Sequence, residues 1–482
     1  MHPELTQHVL RHYNEIWDLP SVAEGACASV VGTVNGSGVY RLRHRGQIVC
    51  EARSVDLTSG LQYVRPTKAV RSVHAEPSIT CHGSRITLQQ NQATRVPHAD
   101  FSIAHVFRAM LAHPNGCSRE PILKHYDKTV IGNTIIEAGE ADAGVIQPLQ
   151  DLSSHVHDGS HPGWDVSEMD RMVGVAVAAD GNGRYGRISP YWQGANAVIE
   201  SLRNIAAVGA VPRAITDCLN YGNPEIPGHL WAFEEGVRGI AEAASGVAIE
   251  GAPVPVISGN VSLYNSTPEG SAIDPTAVVC AIGVLSDATR AVNAQWKKAG
   301  SKLLLLGRIH DACGGSLYYQ VLEELAKAPH GSLLGANVPE PDFVLAGKEI
   351  AFITSAIHDG HVLSCHDISD GGLLMALFEM SVPLRRHRSL LGAEIALDEL
   401  PGNLQNDKLL FSQSGGFVIE VESRTTEHLV SQAESLSLPY AVIGSVTQAP
   451  KLSVKCEGKD LVYEDLADLH NVWRNGISSY FS

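Results

Sequence analysis

The sequence predicts an α/β (α+β) chain: two successive α/β domains, with a shorter helix-and-strand unit in front. Three observations predict it. Short apolar runs bounded by turn residues alternate with stretches of helical period from about residue 130 onward. A strand-helix-strand pattern runs from Ile215 to Ser262. A pattern of residues near the start also recurs near the end.

The totals narrow the function classes. With 482 residues the chain has room for two to four domains and large cores. Apolar residues make up 44% and charged residues 18%, ordinary values for a globular protein. A formal net charge of −16 argues against broad nucleic-acid or anionic-membrane binding, though not against a phosphorylated substrate. The nine cysteines are scattered without a C-x-x-C, which fits a reduced, cytoplasmic setting better than a disulfide or zinc framework. No apolar run reaches about 18 residues, so no membrane span is expected. The stretch M-H-P-E-L-T-Q has no signal-peptide pattern.

Residues 1–66 contain Leu19-Pro20, then S-V-V-G-T-V, Val39–Leu42, Ile48-Val49 and Val55–Leu57. Residues 438–466 repeat the order with Leu438-Pro439, A-V-I-G-S-V, Lys451–Val454, Leu461-Val462 and Asp465-Leu466. The second copy closes a long domain; the first has no such domain before it. Residues 67–101 read as a linker, and 67–128 as linker plus lead-in helix. Ser102 is placed to cap a helix whose apolar face is Ile103, Val106, Phe107, Met110 and Leu111.

A first α/β domain is expected over 129–288 and a second over 289–482. Asp142 lies in a turn, where an aspartate serves the turn itself or holds a metal or phosphate. Residues 151–170 hold His155, His157 and His161, a loop that binds metal only if further ligands converge on it. A strand over 173–179 leads into D-G-N-G-R-Y-G, beginning at Asp180. The glycines match G-x-G-x-x-G in form only. Ser189-Pro190 intervenes before the main helix, and Glu200 falls mid-helix rather than at a strand end, so this is no dinucleotide fingerprint. Ala346-Gly347-Lys348-Glu349 lacks the flanking residues of a P-loop.

In the 215–262 stretch, Ala214-Ile215 meets Thr216-Asp217, and Val254–Ile257 meets Ser258-Gly259-Asn260. The intervening helix carries Leu230, Phe233, Val237, Ile240, Ala241 and Ala244 on one face. Both polar tips are expected at strand ends on one sheet edge, where α/β proteins place ligands. Asp217 suits a hydroxyl or metal, Gly259 close approach to the backbone, Asn260 a Mg²⁺ ion and Ser262 a phosphate. Two ordinary turns after core strands is the competing reading.

Ala277–Leu285 reads as the last strand of this domain and Leu303–Leu306 as the first of the next. Gly314-Gly315-Ser316 precedes a helix. His366-Asp367-Ile368-Ser369-Asp370-Gly371-Gly372 precedes another, and Asp370 alone would serve as its cap.

D-C-L-N-Y-G-N-P-E (217–225) and S-G-N-V-S-L-Y-N (258–265) resemble the second half of the phosphoribosylformylglycinamidine synthase family, in the aminoimidazole ribonucleotide synthetase superfamily. The resemblance runs end to end. The 366–372 motif, D-G-N-G-R and S-R-E-P-I-L-K-H-Y-D (118–127) are part of it. It implies two fused copies of one catalytic unit. Residues 1–66 are then the tail of copy one's C-terminal domain, and 129–482 is copy two, with synthetase-type N- and C-terminal domains. It further implies ATP as substrate, Mg²⁺ as cofactor and an ATP-dependent C–N ligase reaction. Asp217 and Gly259 match ATP-binding positions, Asn260 a metal ligand and Ser262 a substrate contact. Asp142, Asp180, Asp367 and Asp370 are further candidates. The family's catalytic histidine lies in copy one, so no catalytic residue is assigned here.

The expected partners are a complementing first-half chain, a glutaminase that supplies ammonia, and a small bridging subunit; neither nucleic acid nor membrane is expected. The chain departs from the family at 413–417, where relatives carry a glutamate in place of Gln413 and a basic residue near Gly416 or Phe417, which weakens a ligand role for that loop. Three alternatives stay open: a different synthetase of the superfamily, a non-catalytic scaffold half, and a metal-binding module built on the 151–170 histidines.

Overall fold

The structure, a computed structural model, describes residues 2–60, 64–70, 74–126, 132–150, 167–383 and 390–480. They fall into two compact units, 1–66 and 67–482.

In the first unit α1 (Thr6–Arg11) and α2 (Leu19–Val22) precede a hairpin of β1 (Val39–His44) and β2 (Gln47–Arg53), and α3 (Ser54–Ser59) follows. Arg45 and Gly46 close the hairpin at φ 47° and 82°. Paired left-handed residues match the right-handed twist of the strands they join. None of the described residues of this unit is buried. It has strands and helices but no core.

The second unit opens with β3 (Ile79–His82), β4 (Arg85–Leu88) and β5 (Ala99–Ser102), a three-stranded antiparallel sheet. Residues 67–101 are therefore not a bare linker. Each strand has only four residues, too few to show a period, yet Ile86 and Leu88 are fully buried. Next comes α4 (Ile103–Ala112). The Ser102 hydroxyl accepts the His105 N–H at 3.1 Å, and all five residues of the predicted apolar face are buried. A short α5 (Glu120–Leu123) follows.

A six-stranded sheet comes next. Its elements are β6 (Thr134–Ile136), β7 (Gly144–Ile146), α6 (Glu168–Met172), β8 (Gly174–Asp180), α7 (Gly183–Ile188), α8 (Pro190–Ala207), β9 (Val211–Asn220), α9 (Pro227–Gly246), β10 (Val256–Ser262) and β11 (Thr276–Leu285). The strand order is β10-β9-β11-β8-β7-β6, with β10 at an edge and parallel to β9. Helices α8 and α9 pack together through glycines. A Cβ on Gly194 would lie 2.3 Å from the Gly236 carbonyl oxygen, and one on Gly239 would lie 2.0 Å from that of Tyr191. This shifts the buried stripe of α9 away from the predicted large residues. Ala232, Gly236, Gly239, Ile240, Ala243 and Ala244 are buried, whereas Val237 is partly exposed.

The last sheet has seven strands. Its elements are β12 (Lys302–Leu306), α10 (Leu317–Leu325), α11 (Phe343–His358), β13 (Val362–Asp367), α12 (Gly372–Glu379), β14 (Gly392–Ala396), α13 (Asn406–Phe411), β15 (Phe417–Val421), α14 (Thr426–Ser435), β16 (Tyr440–Thr447), β17 (Lys451–Cys456), β18 (Lys459–Asp465) and α15 (Leu466–Asn475). They are ordered β13-β15-β12-β16-β14-β17-β18. The internal repeat is visible in the backbone. The β17–β18 hairpin turns at Glu457 and Gly458, φ 50° and 70°, and shifts register between Val454 and Lys455. The β1–β2 hairpin has the same turn and shifts register at the matching step, Leu42 to Arg43. Strand β16 lies between β12 and β14. Its counterpart, residues 29–34, forms no strand.

Where α15 meets α12, the His470 ring is 3.0 Å from the Ser381 hydroxyl and edge-on to Phe378. Burial, with the Arg474 charge, lowers its pKa to about 4. The unfolded chain then binds a proton between pH 6.5 and 4 that the folded chain refuses. Stability from this site is full above about 6.5 and is lost as pH falls toward 4, by about 2 kcal/mol at pH 5. Urea titrations at pH 7.5 and 5 are expected to show that His470→Gln flattens this loss; an unchanged slope would place the pH dependence elsewhere.

No helix among the described residues is long and apolar enough to cross a membrane.

Candidate functional site

The 215–262 stretch forms a parallel β9-α9-β10 unit, but its polar residues lie within strands rather than at their tips. Asp217 is inside β9 and Gly259 inside β10. Asp180, Val279, Asp217 and Gly259 form one row across four strands, paired as Asp180–Val279, Val279–Asp217 and Asp217–Gly259. Paired residues share a face, and alternate residues along a strand change face. Val279, Ile215 and Leu219 are buried on the face that packs on α8 and α9, so Asp217 and Gly259 belong to that side. Asn260 and Ser262 pair with Cys218 and Asn220 and belong to the other. That second face carries Val177 and Ile146, 44% and 39% exposed.

The four sequence-selected residues are thus split between two faces. Burial raises the Asp217 carboxyl pKa. A Cβ on Gly259 would lie 2.3 Å from Asp217 Oδ1, so this glycine makes room for that carboxylate. Ser262 is hydrogen-bonded to Asn265 at 3.1 Å.

The other four candidates do converge. The turn before β7 supplies Asp142, the end of β8 Asp180, the end of β13 Asp367, and the loop before α12 Asp370. Three groups that the sequence did not single out join them: Glu200 from α8, Glu379 from α12 and His366 beside Asp367. His366 Nδ1 is 3.2 Å from Asp142 and 3.5 Å from Asp367, and Nε2 is 3.2 Å from Glu379. The Asp367 N–H donates to Asp142 at 2.9 Å, and Ser369 donates to Asp367 at 3.0 Å.

Asp370 is no helix cap: Gly371 occupies that position at φ 82°. Instead Asp370 accepts the Gln413 amide at 3.0 Å, and Gln413 in turn accepts the Tyr185 hydroxyl at 2.6 Å. Gln413 therefore belongs to the site despite its departure from the family pattern.

The electrostatics are one-sided. Burial, with neighbouring acids, pushes Asp142 and Asp370 up to about 7 and raises Asp180 and Glu200. For His366 burial opposes the charged form, but Asp142, Asp367 and Glu379 outweigh it and hold the ring cationic. One imidazolium faces six carboxyl groups. Asp142, His366 and Asp367 each bring a ligand atom within 4.8 Å of the others, and Asp367 Oδ2 is buried with no partner. The residues fit a divalent cation, and an oxygen-rich set of this kind suits Mg²⁺. His366, committed to carboxylates through both nitrogens, fits better as their holder than as a ligand.

The cluster opens through Asp370 into a cleft of about 410 Å³, lined also by Gly181, Asn182, Gly183, Arg184 and Gly315. Asn182 caps α7, whose helix starts straight after the glycine segment. Arg184 Nε donates to the Gly315 carbonyl at 3.3 Å, while Nη2 is buried and unpartnered. Carboxylates at one end and a guanidinium with small backbone turns at the other can hold a metal-bound phosphate chain. The histidines at 155, 157 and 161 lie outside the described residues.

Residues 163–285 match the family model described as AIR synthase related protein, N-terminal domain, and residues 298–457 the corresponding C-terminal domain. The chain is 39% identical over 477 residues to the phosphoribosylformylglycinamidine synthase subunit PurL of Methanothrix thermoacetophila, covering 98% of this chain and 55% of that protein. It is 32% identical over 456 residues to the PurL subunit of Deinococcus radiodurans, covering 93% and 54%. The chain spans about half the length of these curated relatives. Thermotoga maritima PurL, solved with FGAR, superposes with a TM-score of 0.57 at 18% identity, covering 76% of this chain and 52% of that one, which shows a shared fold.

Proposed function

The chain belongs to the AIR synthase related family, and on that premise we propose that it forms the second-copy half of a phosphoribosylformylglycinamidine synthase. The carrying observation is the 39% identity along 98% of the chain to a PurL subunit. In the proposed reaction the terminal phosphoryl group of ATP passes to the amide oxygen of formylglycinamide ribonucleotide. Ammonia then adds at that carbon, and the oxygen leaves with phosphate, giving the amidine, ADP and phosphate. Mg²⁺ would neutralise phosphate charge as the phosphoryl group moves. Asp142, Asp180, Glu200, Asp367 and Asp370 would hold a metal, with phosphates along Gly181–Arg184. Asn260 and Ser262 would present metal and substrate contacts on the open sheet face, and Asp217 with Gly259 would support that strand pair from beneath.

Two features support a complementing chain. None of the described residues of the first unit is buried, and its 29–34 segment lacks the neighbours that make β16 a strand. The outward face of the six-stranded sheet also leaves Val177 and Ile146 partly exposed. A first-copy half would supply both, along with the catalytic base. Ammonia would come from a glutaminase subunit, joined by a small bridging subunit, in the cytoplasm.

The test is ammonia-dependent ADP release from Mg-ATP and formylglycinamide ribonucleotide. Activity is expected only when a first-copy half is added. Asn260→Ala should then assemble normally and lower turnover by about 100-fold, the scale of losing one charge-stabilising contact. Full turnover in that variant would leave a scaffold role, and activity of the chain alone would overturn the complementation.

A further inference from the structure

A second cleft, of about 440 Å³, lies beyond Gln413, between α8 and the loops around 308–310, 339–342 and 413–415. Its deepest cation is Arg203, whose side chain is 14% exposed. Nη2 donates to Glu349 at 3.1 Å, while Nε is buried with no partner. Arg308, His310 and Lys348 also line the cleft. Among the described residues none of these three side chains makes a hydrogen bond or ion pair. Partial burial first, and then the Arg308 charge, lower the His310 pKa.

Three acids share the cleft with these cations. Glu349, 2% exposed, is taken by Arg203. Asp342 caps α11 by accepting the Leu345 N–H at 3.0 Å. Only Glu340 is uncommitted. Arg308 and Lys348 are the cleft cations in no ion pair, and a guanidinium and an ammonium both suit phosphate oxygens. Pro339, Pro341 and Pro439 give the cleft an apolar wall. Its volume lies in the range of small-metabolite sites.

We propose that this cleft binds a small phosphate monoester, its phosphate held by Arg203, Arg308 and Lys348 and its organic part along the prolines, with a hydroxyl donated to Glu340. The site is distinct from the carboxylate cluster, and the proposal does not rest on the synthase reading. Gln413 lines this cleft and also holds Asp370, so it forms the partition between the two sites.

Calorimetric titration of the full chain with ribose 5-phosphate tests it, with inorganic phosphate and ribose as separate arms. Saturable binding of ribose 5-phosphate is expected, with weaker binding of inorganic phosphate and none of ribose. The double variant Arg308→Ala/Lys348→Ala should weaken binding at least tenfold while melting normally, since both side chains are exposed. No saturable binding, or equal binding by the double variant, would each overturn the proposal.

Discussion

Replacing Asp180 and Asp370 together by asparagine is expected to weaken divalent-cation binding by about 100-fold, read as Mn²⁺ or Mg²⁺ affinity by calorimetry. The reasoning is charge density. Asp142, Asp180, Glu200 and Asp370 all sit where burial penalises ionisation, and His366 is the cation among them. A bound metal would relieve that strain, and removing two of the proposed ligands would remove the attraction. In metal-free buffer the sign reverses. The same double variant should be more stable than the parent to urea, because it relieves repulsion between buried like charges. A stability gain without loss of metal affinity would make the cluster a structural acid network held by His366.

The second large effect concerns the α8–α9 contact. Gly239→Leu is expected to cost about 3 kcal/mol or more, read from the urea midpoint, because the new side chain would meet the Tyr191 carbonyl oxygen at 2.0 Å from its first carbon. Backbone cannot swing aside as a flexible side chain can. Gly236→Ala should cost less, because the atom its Cβ would meet at 1.9 Å is the Tyr221 hydroxyl, the end of a side chain. Gly32→Ala, with nothing within 4 Å, should be near neutral. A mild effect at Gly239 would mean that the two helices can separate without loss, contrary to the small-residue packing along α9.

Much of the fold was legible in sequence because long apolar strands and helices carry their period with them. The α4 face and its Ser102 cap, the β9-α9-β10 unit and the hairpin repeat are of this kind. Four-residue strands such as β3 and β4 are too brief to show a period, so 67–101 read as a linker. The α9 stripe misled because its core face is built from glycine and alanine, which contribute little to an apolar pattern.

The site was legible in part. Asp142, Asp180, Asp367 and Asp370 could be picked out because each stands in a segment that resembles a motif of the family. Glu200 and Glu379 could not: a glutamate inside or at the end of a helix looks like a solvated residue until tertiary packing buries it. His366 was visible within its motif, but its bridging role depends on Asp142 and Glu379, both distant in sequence. Gln413 looked like a lost ligand, and only its bonds to Asp370 and Tyr185 show what it does.

The split of the β9–β10 residues between two sheet faces constrains how they can change over generations. Asp217 and Gly259 answer to each other: a larger residue at 259 is tolerable only alongside a smaller one at 217, and both changes lie within this polypeptide. Asn260 and Ser262 look outward, so their acceptable replacements are set by whatever surface meets that face. Correlated substitution should therefore link 217 with 259 inside the chain, and link 260 and 262 to positions in a different polypeptide or a different half.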